Sequence, residues 1–85
     1  MEQAFGATGI IERGHFNYKV ANVQLALGFP DSEIDAIFGA KTHEAVMEFQ
    51  RKNGLEPDGK VGIKTKVELW RTAETRLRNY GYTAR

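Results

Sequence analysis

At 85 residues the chain has room for one small domain with a single modest core, and its net charge of +1 leaves it close to neutral. It contains no cysteine, which excludes disulfide staples, thiolate zinc sites and a cysteine nucleophile, so stability has to come from apolar packing. The opening stretch MEQAFGATGIIERGHF lacks the basic head and apolar run of a signal peptide, and no stretch is apolar enough to span a membrane.

Hydrophobic periodicity then predicts three helical segments in chain order. In NYKVANVQLALGF the residues Val20, Val23 and Leu27 share one stripe, with Asn17 as N-cap and Gly28 as the stop. The same segment carries a second apolar stripe, Tyr18, Ala21 and Leu25, which needs a cover: an N-terminal arm with Phe5 and Ile10, or a partner protein. In AKTHEAVMEFQRKNGL the stripe is Thr42, Ala45, Val46 and Phe49, while Lys41, Glu44, Glu48 and Arg51 face outward. In IKTKVELWRTAETRLRNYGY the stripe is Ile63, Val67, Trp70, Ala73, Leu77 and Tyr80, which predicts an unbroken helix to about Gly81. Leu27-Gly28-Phe29, Asn53-Gly54-Leu55 and Tyr80-Gly81-Tyr82 each place Gly where a left-handed residue closes a helix, followed by an apolar residue that folds back on the last turn.

The connections hold an internal repeat, DAIFGAKT at 35–42 and DGKVGIKT at 58–65. Asp35 and Asp58 are placed to accept backbone N–H bonds in tight turns, and Phe38 and Val61 to pin those turns to the core. Gly39 and Gly62 fall at the N-caps of the following helices, with Thr42 and Thr65 in their first turns. Because no reactive group recurs, the repeat points to architecture.

Candidate chemistry is sparse. His15 and His43 have no metal-ligand spacing and read as surface residues. Glu44 and Glu48, at i,i+4, are conceivable as a carboxylate pair but read as a solvated face. DSEIDA at 31–36 starts like a calcium loop yet lacks its sixth-position Gly and twelfth-position Glu, so it is an acidic turn. Residues 51–85 hold nine Lys or Arg against four Asp or Glu, whereas 1–50 hold three against seven. Lys64, Lys66, Arg71, Arg76, Arg78 and Arg85 form the basic part, diluted by Glu68 and Glu74 and without a groove-reading motif. An anionic polymer or an acidic partner surface suits that face better than nucleic acid.

Arg13-Gly14, Val20, Val23-Gln24, Asp35, Phe38-Gly39, Thr42, Ala45-Val46, Phe49-Gln50, Gly54-Leu55, Asp58-Gly59, Val61-Gly62, Thr65 and Leu69-Trp70 together resemble the peptidoglycan-binding domain family of bacterial cell-wall hydrolases and phage endolysins. The likeness covers roughly residues 11–70, between an arm at 1–10 and a helical extension and tail at 71–85. It departs from the family pattern at Asn17, which stands for a second lead-in Gly and suits positive φ, and at Ala36, which replaces a Gly and suggests a different turn geometry.

The resemblance implies an all-α, compact three-helix bundle with two Asp/Gly turns and a shallow groove for peptidoglycan stem peptide or glycan. Its expected ligand-binding residues are Asp35, Phe38, Gly39, Thr42, Asp58, Gly59, Gly62 and Thr65, whose other reading is capping and core packing. The helix N-termini at Gly39 and Gly62 suit the carboxylates of stem peptides. No catalytic residue, metal or cofactor is expected, nor nucleic acid or a membrane. The expected function is a non-catalytic module targeting an associated activity to peptidoglycan, at the cell wall or periplasm or in a phage lysis protein. The alternative is a structural component of a phage particle or secretion apparatus, docking another protein through Tyr18, Leu25, Leu77 and Tyr80.

Overall fold

A computed structural model describes residues 2–6 and 8–81. Four helices follow in order, α1 (Glu2–Phe5), α2 (Tyr18–Ala26), α3 (Ala40–Lys52) and α4 (Ile63–Asn79), with a 3-10 turn at Asp31–Glu33. The three long helices are those predicted, and the fold is all-α; pairing among the described residues is limited to two isolated antiparallel bridges, Ile11 with Val61 and Phe16 with Ile37.

Helix α2 is the centre of the bundle. Val20, Asn22, Val23, Gln24, Leu25 and Ala26 are all buried, so it is covered almost all round and packs directly on α4. Asn17 caps it, its Oδ1 accepting from Lys19 N–H at 2.9 Å and Val20 N–H at 3.3 Å. Its φ is −168°, extended backbone that any residue adopts, so the Asn in place of Gly is chosen for capping and not for a left-handed turn.

The helix endings close as expected. Gly28 N–H donates to Leu25 C=O at 3.1 Å and Phe29 N–H to Gln24 C=O at 3.1 Å; Gly54 N–H and Leu55 N–H make the same pair to Arg51 at 3.3 Å and Gln50 at 2.8 Å. Gly81 N–H reaches Arg78 C=O at 2.9 Å, while Tyr82, like Arg85 of the basic face, lies outside the described residues.

The core joins Ile11, Val20, Val23, Phe38, Val46, Val61, Leu69, Ala73 and Leu77 with two arm residues, Ala4 and Phe5. Full burial of each larger side chain contributes about 1.5–3 kcal/mol. The arm is thus an intramolecular cover for α2, fixed by Asn22 Nδ2 donating to Ala4 C=O at 2.8 Å. Ile10 takes no such part; it is half-exposed. In α3, Thr42 and Val46 are buried as predicted, but Phe49 and Ala45 are only partly so, because Gln50 takes the inward position beside them.

Helix α4 departs from the sequence reading in two ways. Its inward stripe is Lys66, Leu69, Trp70, Ala73 and Leu77, whereas Ile63, Val67 and Tyr80 are exposed. The rotation is set by Lys66, whose apolar stem fills a core position while Nζ donates to Gly6, Thr8 and Gly9 carbonyls at 3.3, 3.4 and 2.8 Å. Burial first, and the neighbouring Lys19 charge second, hold the Lys66 ammonium below its ordinary pKa. Lys66 therefore does not belong to the basic outer face, whereas Arg76 stays exposed on it while its Nη1 donates to Leu25 C=O at 3.0 Å. The helix is also not straight: Ala73 has φ −120° and ψ 16°. Thr72 Oγ1 donates back to the carbonyls of Glu68 at 3.0 Å and Leu69 at 3.3 Å, a pattern that bends helices.

Candidate functional site

The two octets fold into matching turns, and one residue type at the centre of each organises it. Gln24 Nε2 donates to Asp35 Oδ1 at 2.9 Å, Ile37 C=O at 3.1 Å and Thr42 Oγ1 at 3.0 Å. Its Oε1 accepts from Asp35 N–H and Ala36 N–H, both at 3.1 Å. Gln50 repeats the arrangement, donating to Asp58 Oδ1 at 3.1 Å, Lys60 C=O at 2.9 Å and Thr65 Oγ1 at 3.1 Å and accepting from Gly59 N–H at 2.9 Å. Only an amide carries both the donors and the acceptor that such a turn demands; a carboxylate has no donor. Asp35 and Asp58 add the expected short-range bonds, accepting from Ile37 N–H at 3.0 Å and Lys60 N–H at 2.9 Å. The Gln24 amide, ahead of the Ile37 N–H, holds the Asp35 carboxyl below its ordinary pKa.

The N-terminal lead-in ties both turns together. Ile11 and Val61 exchange N–H bonds at 3.1 and 2.8 Å, while Gly14 N–H donates to Phe38 C=O and Phe38 N–H to His15 C=O, each at 3.0 Å. Phe38 and Val61 are fully buried, as their role as pins requires.

Ala36 does not give its turn another geometry. It sits at φ 64°, beside 76° for Gly59, so an L-residue occupies the left-handed slot that Gly fills in the second octet. That conformation costs a non-glycine residue about 1–2 kcal/mol, of which glycine's extra freedom in the unfolded chain returns part. Ala36→Gly is expected to raise stability by about 0.5–1 kcal/mol. A urea midpoint moving upward at constant slope would show it; a downward shift would mean that the Ala36 methyl packs favourably.

His43, expected at the surface, lies half-buried over the second turn: a side chain at Gly59 would run into its imidazole, and its Nδ1 is buried without a partner. His15 Nδ1 accepts from Glu12 N–H at 3.4 Å. Both histidines thus sit against turns. Among the described residues no group of three His, Asp or Glu is placed to hold a metal ion. Glu44 and Glu48 are exposed on α3, and Glu48 faces Arg51 at 3.9 Å.

Each octet borders a groove. The first, of about 170 Å³, brings together Asp35, Gly39 and Thr42 with Phe29, Glu33 and Lys41. The second, of about 350 Å³, brings together Asp58, Gly62 and Thr65 with Gln50, Leu55, Lys60 and Lys64. Phe38 and Gly59 line neither, one being in the core and the other under His43. The difference in size has a sequence cause. The 3-10 turn Asp31–Glu33 lies in the first connection, and its Glu33 pairs with Lys41 over Phe29, where Lys41 Nζ is 5.5 Å from the ring centroid. Gly39 and Gly62 are N-caps with extended backbone and no side-chain cap bond. A third groove, of about 360 Å³, is lined by Tyr18, Ala21, Asn22, Leu25, Asp31, Ile34 and Tyr80. Tyr18, Leu25 and Tyr80 of the proposed docking set therefore meet, but Leu77 is fully buried.

The central glutamines are the residues that sequence reasoning underused. Their signal was present: Gln24 and Gln50 each stand four residues before a helix-closing glycine, Gly28 and Gly54, and each precedes an octet.

Comparison with known proteins agrees with this architecture. Residues 25–69, more than half of the chain, match the family model described as "Putative peptidoglycan binding domain". The spore cortex-lytic enzyme of Bacillus cereus is 40% identical over 63 residues, covering 71% of this chain and 24% of that protein. The chain thus spans about a quarter of the length of that relative. The crystal structure of the SleB N-terminal domain superposes with a TM-score of 0.71 at 37% identity, over 76% of this chain and 93% of that one. A peptidoglycan-binding protein from Clostridioides difficile, solved in complex with glutamine hydroxamate, gives 0.72 at 36% identity, over 82% of this chain and 46% of its own. The match takes in both octets, and the chain belongs to the peptidoglycan-binding domain family.

Proposed function

We propose that this chain is a non-catalytic module that binds peptidoglycan and brings an associated activity to the bacterial cell wall. The observation that carries the reading is the family match across residues 25–69, which takes in both octets and Gln50. That a relative named as a lytic enzyme is about four times longer than the stretch it shares supports a module working beside a catalytic portion.

The second groove is our choice for a carboxylate-bearing stem peptide. Lys60 and Lys64 supply positive charge there, beside the α4 N-terminus at Gly62, whose dipole favours an anion. The first groove is spanned by the Glu33–Lys41 pair and is the weaker candidate.

The protein should co-sediment with purified sacculi and release no soluble muropeptides. Lys60→Glu combined with Lys64→Glu should lower the bound fraction most at low salt, since exposed charges are screened over about 10 Å at 0.1 M. Muropeptide release abolished by Glu44→Gln or Glu48→Gln would overturn the non-catalytic reading. Failure to sediment would favour the second reading, a docking component of a phage or secretion apparatus. That reading has the apolar groove at Tyr18, Leu25 and Tyr80 on its side.

A further inference from the structure

We propose that the third groove, between Tyr18 and Tyr80, binds the glycan strand of the cell wall, as a site separate from the octet grooves. The inference rests on the peptidoglycan reading above but not on its choice of the second groove.

The lining dictates the ligand chemistry. Tyr18, at the start of α2, is 57% exposed, and Tyr80, just past the end of α4, is 60% exposed. Between them Ala21, Leu25 and Ile34 supply an apolar surface. Exposed tyrosine rings offer large, rigid contact area at low entropic cost, and their negative faces attract the weakly positive C–H edges of a pyranose. The two other lining groups are acceptors. Asn22 spends its Nδ2 on Ala4 C=O at 2.8 Å, which leaves Oδ1, and Asp31 brings a carboxylate. Hydroxyls and N-acetyl N–H groups are the donors that match them.

Charge separates this groove from the other large one. Among the described residues no Lys or Arg lines it, so a stem-peptide carboxylate there meets Asp31 with no described cation beside it, whereas the second groove presents Lys60 and Lys64. A neutral, donor-rich ligand with apolar faces fits the third groove, and an anionic one fits the second. The volume, about 360 Å³, is within the ordinary range of small-ligand sites.

The test uses two probes, N-acetylchitotetraose and glycan strands freed of peptides by an amidase, titrated into the labelled protein and followed by amide chemical shifts. Shifts should centre on Tyr18, Ala21, Leu25 and Tyr80. Tyr18→Ala and Tyr80→Ala should each weaken binding about tenfold, while Tyr18→Phe, which keeps the ring, should stay close to the parent. Phe16→Ala, which removes an exposed ring outside the groove, should have no effect. Unperturbed Tyr18 and Tyr80 amides would overturn the assignment, as would equal loss in the Phe16 variant. A mass that doubles with concentration and reverts in Tyr18→Ala would overturn it too, giving the groove to a second copy of the chain. Sedimentation with intact sacculi in the absence of any glycan shift would sink this inference and leave the proposed function standing; loss of both would remove the two together.

Discussion

Gln50→Ala is expected to lower the unfolding free energy by about 3–4 kcal/mol, a large part of the stability of a domain this size. The side chain is 1% exposed. Removing it strands Gly59 N–H, Lys60 C=O and Thr65 Oγ1, all partners of one amide, and empties the volume of a fully buried side chain. A buried group left without its partner costs about 1–3 kcal/mol, and more than one is stranded here. Gln50→Glu separates the hydrogen bonds from the volume: it keeps the shape and Oε1 but loses both donors and sets a carboxylate beside Asp58 Oδ1. It too should be strongly destabilising. Chemical unfolding of both variants checks this. A loss near 1 kcal/mol in Gln50→Ala would mean that water takes over the role of the amide, and the turn would not depend on the side chain.

The frame of this molecule was legible because its signals are local. Closing glycines, an Asn cap and two Asp turns each declare themselves over a few residues, and the octet repeat linked them. The rotation of α4 was not legible, because its determinants lie far away in sequence. Lys66 faces inward only because the carbonyls of Gly6, Thr8 and Gly9, nearly sixty residues earlier, receive its ammonium. A pattern that counts lysine as outward places Ile63 and Val67 inside instead. The kink at Ala73 was masked for a local reason instead, since an apolar stripe continues across it and only the backward bond of Thr72 reveals the break. For the candidate site, the structure divides the octet residues by burial. Asp58 and Gly62 border an open groove, whereas Phe38 is wholly spent on the core.

Phe5→Ala should cost about 3–5 kcal/mol, the range for deleting a buried ring. The prediction is large for a residue outside the region that the family model matches, and it follows from complete burial of Phe5 together with Ala4 in the common core. The arm is held at three places: Asn22 bonds Ala4, Lys66 gathers the carbonyls of 6, 8 and 9, and Ile11 pairs with Val61. Truncation after Thr72 tests the opposite side of the same packing. It removes Ala73 and Leu77, both buried, and also Arg76, whose guanidinium caps Leu25 C=O. Amides of residues 4–11 should then exchange faster, and the melting temperature should fall in both variants. If Phe5→Ala melts like the parent while the truncation alone is destabilised, Leu77 packs on α2 without help from the arm. The cover over the buried residues of α2 would then be the C-terminal half of α4, and the arm would be an accessory that the lysine merely tethers.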